Sequence, residues 1–447
     1  MNYPDSVQFL YALGNEIRTA KLGLERIRAV LDALGRPQDR CRFVHVAGTN
    51  GKGSTCAMIE SGLRAAGLRT GLFTSPHLAE PTERIRIDGE PVDAGRFAAA
   101  FDRVHVAVER LLEAGAIDLH TTYFETVTAM ALLIFAEERT DMVVLEVGLG
   151  GRLDATNVVR PELCVVTPID FDHEAFLGRS LESIAGEKAG ILKPGVPVVF
   201  ARQRPEVRPV LDARAKEVGA PVTRTSAWQI CNLDLHPRGS RFTVGREVPA
   251  SFAGPVPAAV AGPPAFLLID CPLAGEHQIE NAVTAVLALK SLGISDPSIQ
   301  SGIARARWPG RLERVSESPE IILDGAHNPA GARALAAYID RFYGARRVRL
   351  IYGAMRDKSI AEIGGILFPH AQEVIVTAPR QSRAIAPETL HKVVDHPDVR
   401  VAAHLEDALA MPPGDAVTFV TGSLFLVAEA RAILAPGPRP PAPDPLL

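Results

Sequence analysis

Apolar residues along this 447-residue chain fall into two rhythms. Short unbroken runs read as strands buried on both faces, and apolar positions three and four apart read as helices with one buried side. The runs are Phe43 to Ala47, Thr70 to Phe73, Met142 to Val147, Leu163 to Ile169 and Val196 to Phe200. The helical rhythm marks residues 93–114 and 122–139, the segment Ser180 to Ala189, and Cys56, Met58, Ile59 and Leu63 after Ser54. Leu22, Leu24, Ile27, Val30, Leu31 and Leu34 form one stripe on helices within residues 1–40. The alternation predicts an α/β fold with a mostly parallel sheet flanked by helices. Residues 220–272 break the rhythm with short extended pieces and prolines, which predicts a small antiparallel add-on sheet. A helix from His277 to Leu292 closes this unit, and prolines and glycines near 293–310 read as a linker. Strands near 320–324, 348–352, 373–377 and 416–420 then alternate with helices in a smaller C-terminal α/β, Rossmann-like domain. The expected domains are 1–303 and 304–436, with the proline-rich 437–447 as a disordered tail.

Composition narrows the class. Hydrophobic residues make up 47% and charged residues 22%, as in an ordinary globular protein. A net charge of -4 argues against a nucleic-acid partner. The N-terminal stretch with Asp5, Glu16, Arg18 and Lys21 lacks a signal-peptide core, and no apolar run approaches the ~20 residues of a membrane span. Cys41, Cys56, Cys164, Cys231 and Cys271 are far apart and odd in number. That pattern points to reduced thiols in a cytoplasmic protein and away from a zinc site.

The chemistry gathers at predicted strand ends, where ligands sit in open α/β sheets. After Phe43 to Ala47 comes Gly48-Thr49-Asn50-Gly51-Lys52-Gly53-Ser54, and then a helix. Strand, glycine turn and helix form a phosphate cradle: backbone N–H groups, a helix N-terminus and Lys52 face the oxyanions, with Ser54 offering a hydroxyl to magnesium. The usual P-loop spacing is not kept, since Val46 replaces the first glycine and Gly53 separates Lys52 from Ser54. Glu146 ends a buried run, so it either caps the next loop or takes a hard cation. His173 follows another run and is open to a structural or a ligand role. Lys188 is open in the same way, and residue patterning alone favours an ordinary solvated helix face for the Glu187-Lys188 pair over a functional role. Asp324 ends a strand in Leu323-Asp324-Gly325-Ala326-His327-Asn328-Pro329, and Arg311 follows the linker. Each serves either a turn or interdomain salt bridge, or a nucleotide between domains.

Taken together these stretches resemble the Mur ligase superfamily, and most closely its folylpolyglutamate synthase/dihydrofolate synthase family. The matching motifs are Gly-Thr-Asn-Gly-Lys-Gly-Ser (48–54), Ser-Pro-His-Leu (75–78), Thr-Tyr-Phe-Glu (122–125), Glu-Val-Gly-Leu-Gly-Gly-Arg-Leu-Asp-Ala-Thr-Asn (146–157) and Asp-His (172–173). Glu-Lys-Ala-Gly-Ile (187–191), Gly-Glu-His-Gln-Ile-Glu-Asn-Ala (275–282), Trp-Pro-Gly-Arg-Leu-Glu (308–313) and Leu-Asp-Gly-Ala-His-Asn-Pro (323–329) continue the family's order. The resemblance spans about Leu22 to Leu434, and the family's variant glycine loop accounts for the departures from the common P-loop.

The resemblance implies an ATP-dependent ligase that joins L-glutamate to dihydropteroate or a reduced folate through an acyl phosphate. ATP is then a co-substrate and magnesium, as two ions, the cofactor. Gly48, Thr49, Asn50, Gly51, Lys52, Gly53 and Ser54 would hold the triphosphate, with Asn281, Arg311, Asp324 and His327 on the nucleotide. Ser54, Ser75, Glu146, His173 and a carbamylated Lys188 would hold the ions, and Lys52, Lys188 and His173 would be catalytic. Ser75, Pro76, His77, Thr122, Tyr123, Phe124, Glu125, Leu153, Asp154 and Ala155 would meet the pterin substrate. A monomer is expected. One departure bears on the Asp172-His173 loop: Asp170 stands where the family usually has a small residue, often glycine. A cell-wall Mur ligase is the nearest alternative, but a glycine loop starting at residue 48 leaves no room for the usual N-terminal domain. A P-loop kinase or a nucleotide-binding module is the alternative from another class, and Arg311 and Asp324 count against both.

Overall fold

The computed structural model describes residues 1–14, 23–246, 266–356 and 359–435. The Leu22 position and the expected tail at 437–447 lie outside them. The first sheet has eight strands: β1 (Phe43–Ala47), β2 (Thr70–Phe73), β3 (Ile85–Ile87), β4 (Glu90–Pro91), β5 (Met142–Glu146), β6 (Leu163–Val166), β7 (Val198–Phe200) and β8 (Val222–Arg224). Their order is β4-β3-β2-β5-β1-β6-β7-β8, parallel except for the β3 and β4 edge. Every residue of β1, β2, β5, β6 and β7 is buried, which is why each reads as an unbroken apolar run. Register aligns Val46 of β1 with Glu146 of β5, and Ala47 with Val166 of β6. The loops that follow these three strands therefore leave one sheet edge side by side.

The pleat divides β1 between two cores. Val44 and Val46 pack with helices Lys52–Ala65, His277–Ser291 and Asp296–Ala304. Phe43 packs with helices Glu25–Ala33, Ala94–Glu113 and Tyr123–Glu137 on the other face. A separate antiparallel sheet, ordered β11-β10-β9, comprises β9 (Gln229–His236), β10 (Gly239–Gly245) and β11 (Leu267–Cys271). It is the expected add-on, but it starts later than residue 220. Val222–Arg224 instead pairs in parallel with β7 and extends the main sheet.

The stretch read as a linker holds a helix, Asp296–Ala304. Ser295 caps its N-terminus, and Pro297 sits in the first turn, where a proline costs no hydrogen bond. The proline thus starts an element rather than interrupting one. This helix crosses Lys52–Ala65 at Gly302 and Gly62. A Cβ on Gly302 would lie 2.4 Å from the Gly62 Cα, and the Ser61 hydroxyl donates to the Gly302 carbonyl at 2.7 Å.

The second sheet has β12 (Glu313–Glu317), β13 (Glu320–Leu323), β14 (Val348–Tyr352), β15 (Glu373–Val376), β16 (Val399–Val401) and β17 (Val417–Thr421), in the order β12-β13-β17-β14-β15-β16. Only β12 is antiparallel. The sequence pattern missed β12 and β16 because both are edge strands with half-exposed or exposed residues and no apolar run. Among the described residues no helix is long and apolar enough to cross a membrane.

Candidate active site

The glycine loop is fixed from both sides. The Thr49 and Asn50 N–H groups donate to the Pro168 carbonyl at 3.0 and 3.2 Å. The Thr49 hydroxyl donates to the Asp170 carbonyl at 3.0 Å and accepts the Asp170 N–H at 3.1 Å. Asp170 therefore anchors the loop through its backbone, while its carboxylate turns aside to Arg204 at 3.0 Å. Gly51 takes a left-handed φ of 83° before helix Lys52–Ala65, and a Cβ there would lie 2.2 Å from Asn281 Oδ1. Glycine is required on both counts. The Lys52 ammonium folds back to the Thr49 carbonyl at 3.1 Å, beside the first-turn N–H groups of the helix.

Polar side chains line the loop's inner wall. Gln278 donates to the buried Ser54 hydroxyl at 3.2 Å and accepts from Asn281 at 2.9 Å. At the end of β5, Glu146 is 3% exposed, and its carboxylate accepts the Ser75 N–H at 3.0 Å. Burial pushes the Glu146 carboxyl up, against the opposing pull of Lys52, the Ser75 N–H, Arg311 and Arg84. A buried carboxylate whose anionic form is still undercompensated is an oxygen donor suited to a hard cation.

Lys188 is a strongly perturbed cation. It is buried on helix Leu181–Ala189, and its Nζ donates to the Gly48 carbonyl at 2.8 Å. Burial and the Lys52 charge bring its pKa down to about 7, against the pull of Asp172 and Asp154. The solvated-face reading of Glu187-Lys188 holds for Glu187, which pairs with Arg152 at 2.9 Å, but not for Lys188. His173 caps the short helix Glu174–Leu177 with a φ of 51°, its Nε2 lying 3.9 Å from Asp172.

The second sheet reaches the same place. Asp324 follows β13 and accepts the Leu312 and Ala326 N–H groups, each at 3.0 Å. Burial lowers the Arg311 pKa against the opposing pull of Asp324, after β13, and Glu146, at the end of β5. His327 donates Nδ1–H to the Gly325 carbonyl at 2.7 Å, and its Nε2 lies 3.9 Å from Asp172. Asn328 caps helix Pro329–Tyr343 through Oδ1. Its Nδ2 donates to Asn50 at 3.0 Å and to Asp172 at 3.3 Å.

A second face lies beyond Ser75. Tyr123 stacks on Tyr11 at 5.7 Å with Arg84 over its ring, and Phe124 packs on Phe73 at 5.8 Å. His77 accepts from Arg84 at Nδ1 and donates Nε2–H to Tyr11, so its ring is neutral, and burial holds its pKa well below the usual value. Pro76 lies between Ser75 and His77. Three residues assigned to the substrate have side chains engaged in local structure. Thr122 and Glu125 form a capping box, and Glu125 also pairs with Arg26 at 3.1 Å. Asp154, between Leu153 and Ala155, accepts the Leu149 and Thr156 N–H groups. The sequence reading does not single out Tyr11, Arg84, Gln278 or Asn328. Gln278 and Asn328 lie inside the quoted motifs, whereas Tyr11 and Arg84 carry no local signal.

Residues 46–289 match the Mur ligase middle domain, and residues 310–424 match the Mur ligase glutamate ligase domain. The dihydrofolate synthase/folylpolyglutamate synthase of Bacillus subtilis is 35% identical over 425 residues, covering 92% of this chain and 94% of that protein. The chain belongs to the folylpolyglutamate synthase/dihydrofolate synthase family of Mur ligases. The fold agrees. A Mycobacterium tuberculosis folylpolyglutamate synthase structure with ADP and AMPPCP superposes with a TM-score of 0.86 at 31% identity, over 98% of this chain and 100% of that one. A folylpolyglutamate synthase complex with AMPPCP and folate superposes with a TM-score of 0.82 at 32% identity, over 97% and 100% of the two chains.

Proposed function

We propose that the protein ligates L-glutamate to a pterin carboxylate with ATP as co-substrate, forming dihydrofolate from dihydropteroate and extending reduced folates by glutamate. The observation that carries this reading is the buried Glu146 carboxylate, which feels both Lys52 of the glycine loop and Arg311 from the second sheet. That combination supports a reading in which Lys52 and Arg311 bind phosphate, Glu146 takes the cation, and the seam closes over two substrates.

The reaction has two steps. A substrate carboxylate oxygen bonds to the γ-phosphorus while the bond to ADP breaks. The glutamate nitrogen then bonds to the acyl carbon, phosphate leaves, and the nitrogen loses a proton. In the first step Lys52 and the helix N-terminus hold the phosphate oxygens, and Arg311 adds a cation from the other sheet. Asp324 orients Arg311 and the adjoining backbone. Asn50, Asp172, His327 and Asn328 close the seam and limit water's access to the acyl phosphate. Ser54, Ser75, Glu146, His173 and Lys188 would hold magnesium, a role that the buried, undercompensated Glu146 carboxylate suits. When bound, the ions neutralise charge on the phosphates.

Lys188 fits carbamylation because a pKa of about 7 leaves roughly half the amines neutral at neutral pH. The neutral nitrogen adds to carbon dioxide and releases a proton, which turns a buried cation into an anionic oxygen donor. The enzyme acts as a cytoplasmic monomer with small-molecule partners only.

The deciding experiment measures ADP release with magnesium and glutamate, comparing dihydropteroate, tetrahydrofolate and no acceptor. Glutamate-dependent release with both acceptors is expected. Release with one assigns only that step, and stimulation by neither overturns the folate reading.

A further inference from the structure

Away from the seam, two helices and the loop between them bring together three metal-ligating side chains that the ligase reaction does not use. Helix Ala94–Glu113 presents His105 and Glu109 one turn apart, and the chain returns with His120 two residues before the Thr122 cap. One donor atom from each lies within 4.8 Å of the other two. Glu109 Oε1 is 3.9 Å from His105 Nδ1 and 3.7 Å from His120 Nε2. These two nitrogens are buried and have no hydrogen-bond partner. Both point at the same carboxylate.

The surroundings fix the rings for ligation. His120 donates Nδ1–H to the Thr121 carbonyl at 2.9 Å, which leaves the Nε2 lone pair aimed into the cluster. A backbone carbonyl on the far nitrogen is the usual partner of a metal-bound imidazole. Phe9 packs against both rings, at 4.7 Å from His105 and 5.7 Å from His120, and Phe101 stacks on His105 at 5.6 Å. The rings are thus held on their apolar sides, while Glu109 is 48% exposed and leaves the outer side open to water.

We propose that His105, Glu109 and His120 form a binding site for a zinc-class divalent cation, with water as the fourth ligand. A tetrahedral zinc with nitrogen and oxygen ligands near 2.0–2.1 Å separates its donors by about 3.3 Å, so the two Glu109 distances close by about half an ångström and the imidazole pair, within 4.8 Å, by about 1.5 Å at most, a range that side-chain rotation covers. Two imidazoles and one carboxylate favour zinc over magnesium, which prefers oxygen ligands and retains its waters. The scattered cysteines pointed away from zinc, but this site uses none of them. The bound ion would tie helix Ala94–Glu113 to the segment that carries Thr122 and Tyr123, and so brace the aromatic face of the active site.

The test titrates Zn2+ into the full-length protein in saturating Mg2+, against a competing fluorescent chelator, and repeats the titration with Co2+ read by visible absorption. One equivalent of Zn2+ and a Co2+ spectrum of tetrahedral intensity are expected. His105→Ala and His120→Ala should each weaken Zn2+ binding beyond the roughly 10- to 100-fold that loss of an outer partner costs. Glu109→Gln, at a half-exposed position, provides the same test if an imidazole variant fails to fold. Zn2+ should also raise the unfolding temperature of the wild type and not that of the variants. No binding by the wild type, or an undiminished equivalent in any folded variant, overturns the site.

Discussion

Lys188 shows how far a single side chain can depart from its sequence context. A Glu-Lys pair on a helix is ordinarily two solvated charges. Here burial and the neighbouring Lys52 lower the Lys188 pKa to about 7 from 10.5. The folded protein therefore binds fewer protons at this site than the unfolded chain between those two values. Its contribution to stability rises with pH across that window, and the full penalty of burying the cation applies below about 7. Activity should follow the same sign: ligation falls as pH drops through about 7, and added bicarbonate partly restores it. Steady-state ADP release against pH, with and without bicarbonate, measures this. Lys188→Ala should cost about 10²- to 10³-fold in turnover, the scale of losing one charge-stabilising group. Short carboxylates should partly rescue the variant, and full activity without them would remove Lys188 from the mechanism.

Between elements, the crossing of helices Lys52–Ala65 and Asp296–Ala304 depends on contact between backbones. Helix propensity alone favours alanine over glycine by about 1 kcal/mol. At Gly302, however, the added carbon would lie 2.4 Å from the Gly62 Cα, and backbone cannot step aside like the end of a flexible side chain. Overpacking of this kind costs about 1–3 kcal/mol. Gly302→Ala should therefore lower the denaturation midpoint although it improves the helix. The same substitution tilts the helix that carries the phosphate loop, so the KM for ATP should rise as well. At Gly51 the clash is with the Asn281 side chain, and the left-handed φ adds backbone strain. Gly51→Ala should reduce nucleotide binding, measured by calorimetric titration with ADP, with a smaller effect on the unfolding temperature than Gly302→Ala.

Across the whole molecule, the two sheets meet through a few directed polar contacts at their loop ends. Asn328 donates to Asn50 and Asp172, Arg333 lies 3.9 Å from Asp170, and Tyr338 donates to the carbonyl of Pro237, in the turn between β9 and β10, at 2.8 Å. Asn328 also caps its own helix, so alanine would confuse a stability loss with a seam loss. Asn328→Asp separates them. The carboxylate keeps the cap, worth about 1 kcal/mol, but sets an acceptor against Asn50 Oδ1 and a charge against Asp172. The unfolding temperature should stay near the wild-type value while turnover falls about tenfold or more, as expected when closure around a reactive intermediate is impaired. Equal turnover in the variant would show that these contacts do not control closure.

Local order determined much of this protein. Strands buried on both faces must be apolar throughout, so β1, β2, β5, β6 and β7 could be read directly from the chain. The glycine loop and the Asp324 turn were legible because strand, turn and helix impose residue types at fixed offsets. Edge strands β12 and β16 carry no such constraint, and the proline that opens helix Asp296–Ala304 has the same letter as one that breaks a chain. What tertiary structure alone decided concerns long-range neighbours. The low pKa of Lys188, the influence of Glu146 on Arg311, the pairing of Tyr11 with Tyr123 and the convergence of His105 and His120 depend on groups remote in sequence or on burial. Charge energies and ring contacts depend on distance in space, and only packing of the helices on the sheets sets those distances.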